Sequence, residues 1–83
     1  MNLSLQPMKL PLRIRFEEQD YSYHILNNTL DRTTREFRIK LDDQEYTLLR
    51  NEKNEWSCTD LTINDNPALF IAIGRSIGLR YQL

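Results

Sequence analysis

"EFRIKLDDQEYTLL", residues 36–49, is the stretch whose reading decides the fold. Phe37, Ile39 and Leu41 alternate with Glu36, Arg38 and Lys40, and Tyr46 and Leu48 resume the alternation after Asp42 and Asp43. A period of two puts apolar side chains on one face of a strand and charged ones on the other. Asp tolerates the left-handed backbone of a tight hairpin, so the pair at 42–43 reads as the reversal between two antiparallel strands.

The same period extends towards the N-terminus. Leu10, Leu12, Ile14 and Phe16 alternate with Pro11, Arg13, Arg15 and Glu17, and a strand tolerates Pro11 near its start. "EEQD" at 17–20 interrupts, and "YSYHIL" at 21–26 follows, with Tyr21, Tyr23 and Ile25 on one face and Ser22, His24 and Leu26 on the other. "NNTLDRTT" at 27–34 is a polar connection. Towards the C-terminus, "NEKN" at 51–54 leads to "EWSCT", where Trp56 and Cys58 share a face. Leu61 and Ile63 precede "NPALFIAIGRSIGLRYQL" at 66–83. Asp65 or Asn66 suits a helix N-cap and Pro67 its first turn, while Asp65 at the start and Arg75 and Arg80 near the end suit the helix dipole. The expected architecture is α+β: an antiparallel β-meander of four to five strands with one C-terminal α-helix packed on one face. Residues 1–8 read as a flexible arm and residues 9–83 as a single domain.

Composition narrows the class. A length of 83 residues allows one core, and 40% hydrophobic with 28% charged residues is the balance of a folded globular chain. A net charge of -1 speaks against a dedicated duplex-DNA binder, which concentrates positive charge. The single cysteine excludes an intramolecular disulfide, and the chain lacks the Cys and His set of a structural zinc. The N-terminal segment alternates rather than forming a signal-peptide core, and no run of eighteen apolar residues exists. A cytoplasmic location, with no membrane partner, is expected.

At 100° per residue, Leu69, Phe70, Ile73, Ile77 and Tyr81 fall within a stripe about 120° wide, the face expected on the sheet. Ala68, Ile71, Ala72 and Leu79 lie away from it, with Arg75 among them. Gly74 and Gly78 lie between the two faces. Gly78 is a candidate helix terminus, with continuation to Tyr81 the alternative. The glycine pair also permits close approach of another element, although the spacing is a motif chiefly in membrane helices. Five strands span about 20 Å and one helix about 10 Å, so either the sheet curls around the helix or a second subunit covers the remainder. The apolar outer positions Ala68, Ile71, Ala72 and Leu79 favour the second route, a homodimer.

Candidate chemistry is sparse. His24 is a lone histidine without an accompanying nucleophile motif, and a strand-face structural role accounts for it. Cys58, beside Trp56, reads as a small buried residue rather than an activated thiol. Glu17, Glu18 and Asp20, and the pair Asp42 and Asp43, read as solvated turns; neither group has a calcium-loop spacing. Both glycines lie in the last segment, so no phosphate-cradling loop exists. No catalytic, cofactor or metal site is expected. One polar feature remains: Arg13 and Arg15 share the outer face of the first strand, and Arg38 and Lys40 that of the third. Were those faces neighbours, the open side of the sheet would carry a basic strip suited to single-stranded nucleic acid, although Glu17 and Glu36 dilute it and the aromatics point the other way.

"YTLLRNEKNEW" followed by the "IAIGRSIG" helix resembles small uncharacterised bacterial proteins that pair a hairpin-rich sheet with a C-terminal helix. The resemblance spans roughly Phe37 to Tyr81 and implies a fold but no activity. The strands-then-helix order is also similar to that of single-stranded nucleic-acid-binding modules, an analogy of fold alone. The functional expectation is a non-enzymatic interaction domain, self-associating through the helix and the uncovered sheet face. The alternative is a single-stranded nucleic-acid binder using Arg13, Arg15, Arg38 and Lys40.

Overall fold

The computed structural model describes residues 11–83. The expected arm over residues 1–8, and Leu10 as the first inward residue, lie outside the described residues. Within them the chain forms β1 (Leu12–Phe16), β2 (Gln19–Ile25), β3 (Glu36–Leu41), β4 (Gln44–Arg50), β5 (Trp56–Cys58) and α1 (Pro67–Tyr81). The strands make one antiparallel meander in the order β1-β2-β3-β4-β5. This is the α+β architecture that the alternation at 36–49 predicts.

Register follows from the hairpins. Phe16 pairs with Gln19 across Glu17 and Glu18, and Leu41 with Gln44 across Asp42 and Asp43. All four turn residues have positive φ, between 52° and 66°. Left-handed backbone at both central positions matches the strand twist and closes a two-residue hairpin. The β2–β3 connection is longer, and the Asn27 carboxamide extends the ladder there. Its Oδ1 accepts from Arg38 N at 2.8 Å and its Nδ2 donates to Glu36 O at 3.0 Å. At the other side of the sheet β5 is short, and the Asp60 carboxylate takes the Thr47 backbone N–H at 2.8 Å.

The inward rows build the core. Tyr23, Phe37, Ile39 and Leu48 of the sheet are at most 1% exposed, as are Ile73 and Ile77 of the helix. Leu69 and Phe70 complete the buried stripe, with Tyr81 half-buried beside it. Phe70 packs its ring on Tyr46 and Trp56 packs on Phe37, with centroids 4.5 Å and 4.9 Å apart. The helix lies chiefly against β5 and also touches β1 and β4, so the sheet curls around it from both edges. This curl is the first of the two routes open to a sheet wider than its helix. The centre of the sheet is closed, while the inward residues of β1, Leu12, Ile14 and Phe16, stay half-buried, as do Tyr21, Tyr46 and Cys58.

Helix limits have clear causes. Asn66 is the N-cap, its side chain accepting from Ala68 N at 3.0 Å, and Pro67 follows in the first turn. Asp65 instead accepts from Thr62 N and Thr62 Oγ1 and, at 3.3 Å, from the Tyr46 hydroxyl. Gly78 does not end the helix. Gln82, in the left-handed conformation, caps it after Tyr81, and the backbone N–H groups of Gln82 and Leu83 close on Gly78 O. Gly74 and Gly78 form the floor on which the Trp56 ring rests. A Cβ on Gly74 would lie 2.7 Å from Trp56 Cγ, whereas one on Gly78 would lie 3.6 Å from Cζ2. The close approach that the glycine spacing permits is therefore between helix and indole, not between two helices. No helix of the described residues is long and apolar enough to cross a membrane.

Candidate functional site

Among the described residues, two concave surfaces carry arginine beside apolar side chains. The first is the outward side of α1. Ala72, Arg75, Ser76, Leu79 and Arg80 line a shallow groove of about 540 Å³. Leu79 is 83% exposed, and the helix has no acid in its first turn and Arg80 in its last. An exposed apolar side chain thus shares the groove with two arginines. Of the four outer helix positions expected to face a second copy, Ala72 and Leu79 lie in this groove. Ala68 is exposed beyond it. Ile71 is half-buried against the core, because the curled sheet covers a wider arc of the helix than a flat one does.

The second surface centres on Arg50, an inward-facing residue of β4 that is 4% exposed. Its Nη2 donates to Arg32 O and Thr34 O, both at 3.0 Å, tying the β2–β3 connection to the sheet. Its Nε–H is buried and has no partner among the described residues. The guanidinium carbon lies 5.7 Å from the centroids of both Phe37 and Trp56, within cation–π range. Burial, and then the neighbouring Arg35, push its pKa down from the ordinary arginine value. Among the described residues no carboxylate comes within 4.0 Å of it. Arg50 lines two adjoining clefts. One, of about 330 Å³, is completed by Asn54, Trp56, Arg75, Gly78, Leu79 and Leu83. The other, about 530 Å³, is bordered by Arg35, Trp56 and Glu55 among others. Arg75 and Leu79 belong both to the helix groove and to the smaller cleft, so the two are continuous.

The basic residues on the outer sheet face do not form one strip. Arg13 and Arg15 stand on β1 and Arg38 and Lys40 on β3, with β2 between them. Arg15 is paired with Asp20 at 3.1 Å, and Lys40 stands directly across from Glu45. His24 faces the same side, opposite Lys40, in a depression shared with Ser22, Asp42 and Asp43. Cys58 lies on the inner side, half-buried, and burial pushes its thiol pKa up, which disfavours the thiolate. His24 and Cys58 are therefore on opposite faces of the sheet. No group of three or more His, Cys, Asp or Glu residues among the described ones is placed to hold a metal ion.

Periodicity alone does not single out Arg50. It sits two places after Leu48, so its inward direction is readable. A charged residue there looks like the end of the alternation rather than part of a core. No protein-family model, curated protein or solved structure matches this chain.

Proposed function

We propose that this chain is a small non-catalytic interaction domain that docks an acidic, apolar protein segment on the outward face of α1. The observation that carries the reading is Leu79, 83% exposed between Arg75 and Arg80 on a groove already shaped by Ala72 and Ser76. An isolated exposed leucine needs no explanation, but one seated in a concave cationic groove has a definable complement. Charge complementarity selects the occupant. Two copies meeting through this face bring Arg75 and Arg80 towards their own counterparts, whereas an acidic amphipathic segment satisfies both arginines and covers Leu79.

Selection from a displayed random-peptide library against the immobilised full chain tests this. Enriched peptides are expected to be acidic and apolar and to lose binding to the Leu79→Glu variant. Enrichment that ignores Leu79→Glu, or none, overturns the reading. So does a concentration-dependent dimer in light scattering that Leu79→Glu abolishes, because the face then belongs to a second copy.

A further inference from the structure

We propose that Arg50 and Arg75 form a seat for a carboxylate carried on an apolar body, in the cleft between the β4–β5 hairpin and the C-terminal half of α1. The seat stands on the cleft's own geometry and does not require the docking reading to hold.

A buried charge is ordinarily paired, because desolvation of an unpaired ion is costly. Arg50 is 4% exposed, yet among the described residues its guanidinium meets two backbone carbonyls, two aromatic rings and no carboxylate. Its Nε–H is left over. A second cation, Arg75, reaches the same cleft from the helix, and the Asn54 amide lines it from the hairpin. None of the described residues that line this cleft is acidic. Two like charges facing one small cavity repel unless an anion lies between them.

The lining also defines the anion. Trp56, Gly78, Leu79 and Leu83 make the rest of the wall. A ligand with charge on every side, such as phosphate, leaves oxygens against these apolar groups. A carboxylate concentrates one charge at one end and matches the planar guanidinium fork, while its hydrocarbon part covers the leucines and the indole. A volume of about 330 Å³ suits a ligand of amino-acid size. Such a carboxylate is either a free aliphatic acid or the C-terminal carboxylate of a peptide.

The test is an NMR titration of the nitrogen-15-labelled full chain, following the Arg50 side-chain Nε–H and the Trp56 indole N–H. Hexanoate stands for the free acid, N-acetyl-leucine for the peptide terminus, N-acetyl-leucinamide for the uncharged control and inorganic phosphate for the rival anion. Saturable shifts at both reporters are expected with the two carboxylates, and the tighter one identifies the source. The exposed Arg75→Gln change, which leaves the core untouched, is expected to weaken binding about tenfold, the usual loss for a charged hydrogen bond. Equal response to the amide, wild-type affinity in Arg75→Gln, or phosphate binding tighter than either carboxylate overturns the proposal. Carboxylate binding by the wild-type chain, with peptide selection that fails, leaves this seat standing and removes only the docking reading.

Discussion

Gly74 and Gly78 differ by one turn of helix and have opposite expected responses to the same methyl group. A Cβ at Gly74 runs into the indole of Trp56, a rigid group held in turn by Phe37. The Gly74→Ala variant should therefore lose about 2 kcal/mol, as over-packed core positions do. A Cβ at Gly78 meets Trp56 Cζ2 at 3.6 Å, an ordinary contact. Here the higher helix propensity of alanine prevails, and Gly78→Ala should gain about 0.5–1 kcal/mol. Urea denaturation of both variants checks the pair; a stabilised Gly74→Ala would refute the close approach. The spacing of the glycines is visible in the sequence, but their partner is not. It sits about twenty residues away on a three-residue strand, and only the curl of the sheet brings it there. The role of Arg50 is hidden in the sequence for a related reason. Periodicity assigns direction, and nothing in the sequence shows that a guanidinium at an inward position is stacked on aromatic rings.

At the level of elements, the hairpins were the most legible part, because two-fold alternation survives every strand from Leu12 to Leu48. Their turns hold a reserve of stability. Glu17, Glu18, Asp42 and Asp43 all adopt left-handed backbone, which disfavours side chains with a Cβ and costs glycine nothing. Replacing the second residue of either turn, Glu18→Gly or Asp43→Gly, should stabilise the fold by about 1 kcal/mol. For a domain this small that corresponds to about 4–8 °C in Tm, read by calorimetry. Destabilisation by Glu18→Gly would mean that its side chain, exposed and without a bond among the described residues, has a partner that matters. Irregular connections were far less legible. Asp60 and Asp65 look like loop acids in the sequence, yet one closes an unpaired strand edge and the other ties Tyr46 to the segment before the helix. Neither role has a local pattern, since each depends on which backbone group happens to lack a partner.

For the molecule as a whole, two loop carboxylates, Asp65 and Asp31, shape the response to acid. Asp65 is held below the ordinary carboxylate pKa first by the backbone N–H of Thr62 and then by the Thr62 and Tyr46 hydroxyls. Asp31 is lowered likewise, first by the Thr33 hydroxyl and then by the Thr33 backbone N–H. A group whose folded pKa lies below its unfolded one binds its proton more readily in the unfolded chain. Its stabilisation is complete above the ordinary carboxylate range, about pH 4, and is lost as pH falls through the lower folded value. Stability should thus be level near neutrality and decline below about pH 4. The Asp65→Asn change keeps the size of the side chain and removes its titration. The drop in unfolding free energy between pH 7 and pH 3, measured by urea denaturation, should be smaller in this variant than in the wild type. Asp31→Asn should act in the same direction, and the two effects should add, because the carboxylates share no partner and lie in different connections. An acid limb unchanged in both variants would show that the hydroxyl and amide donors around them bind the neutral and ionised forms equally.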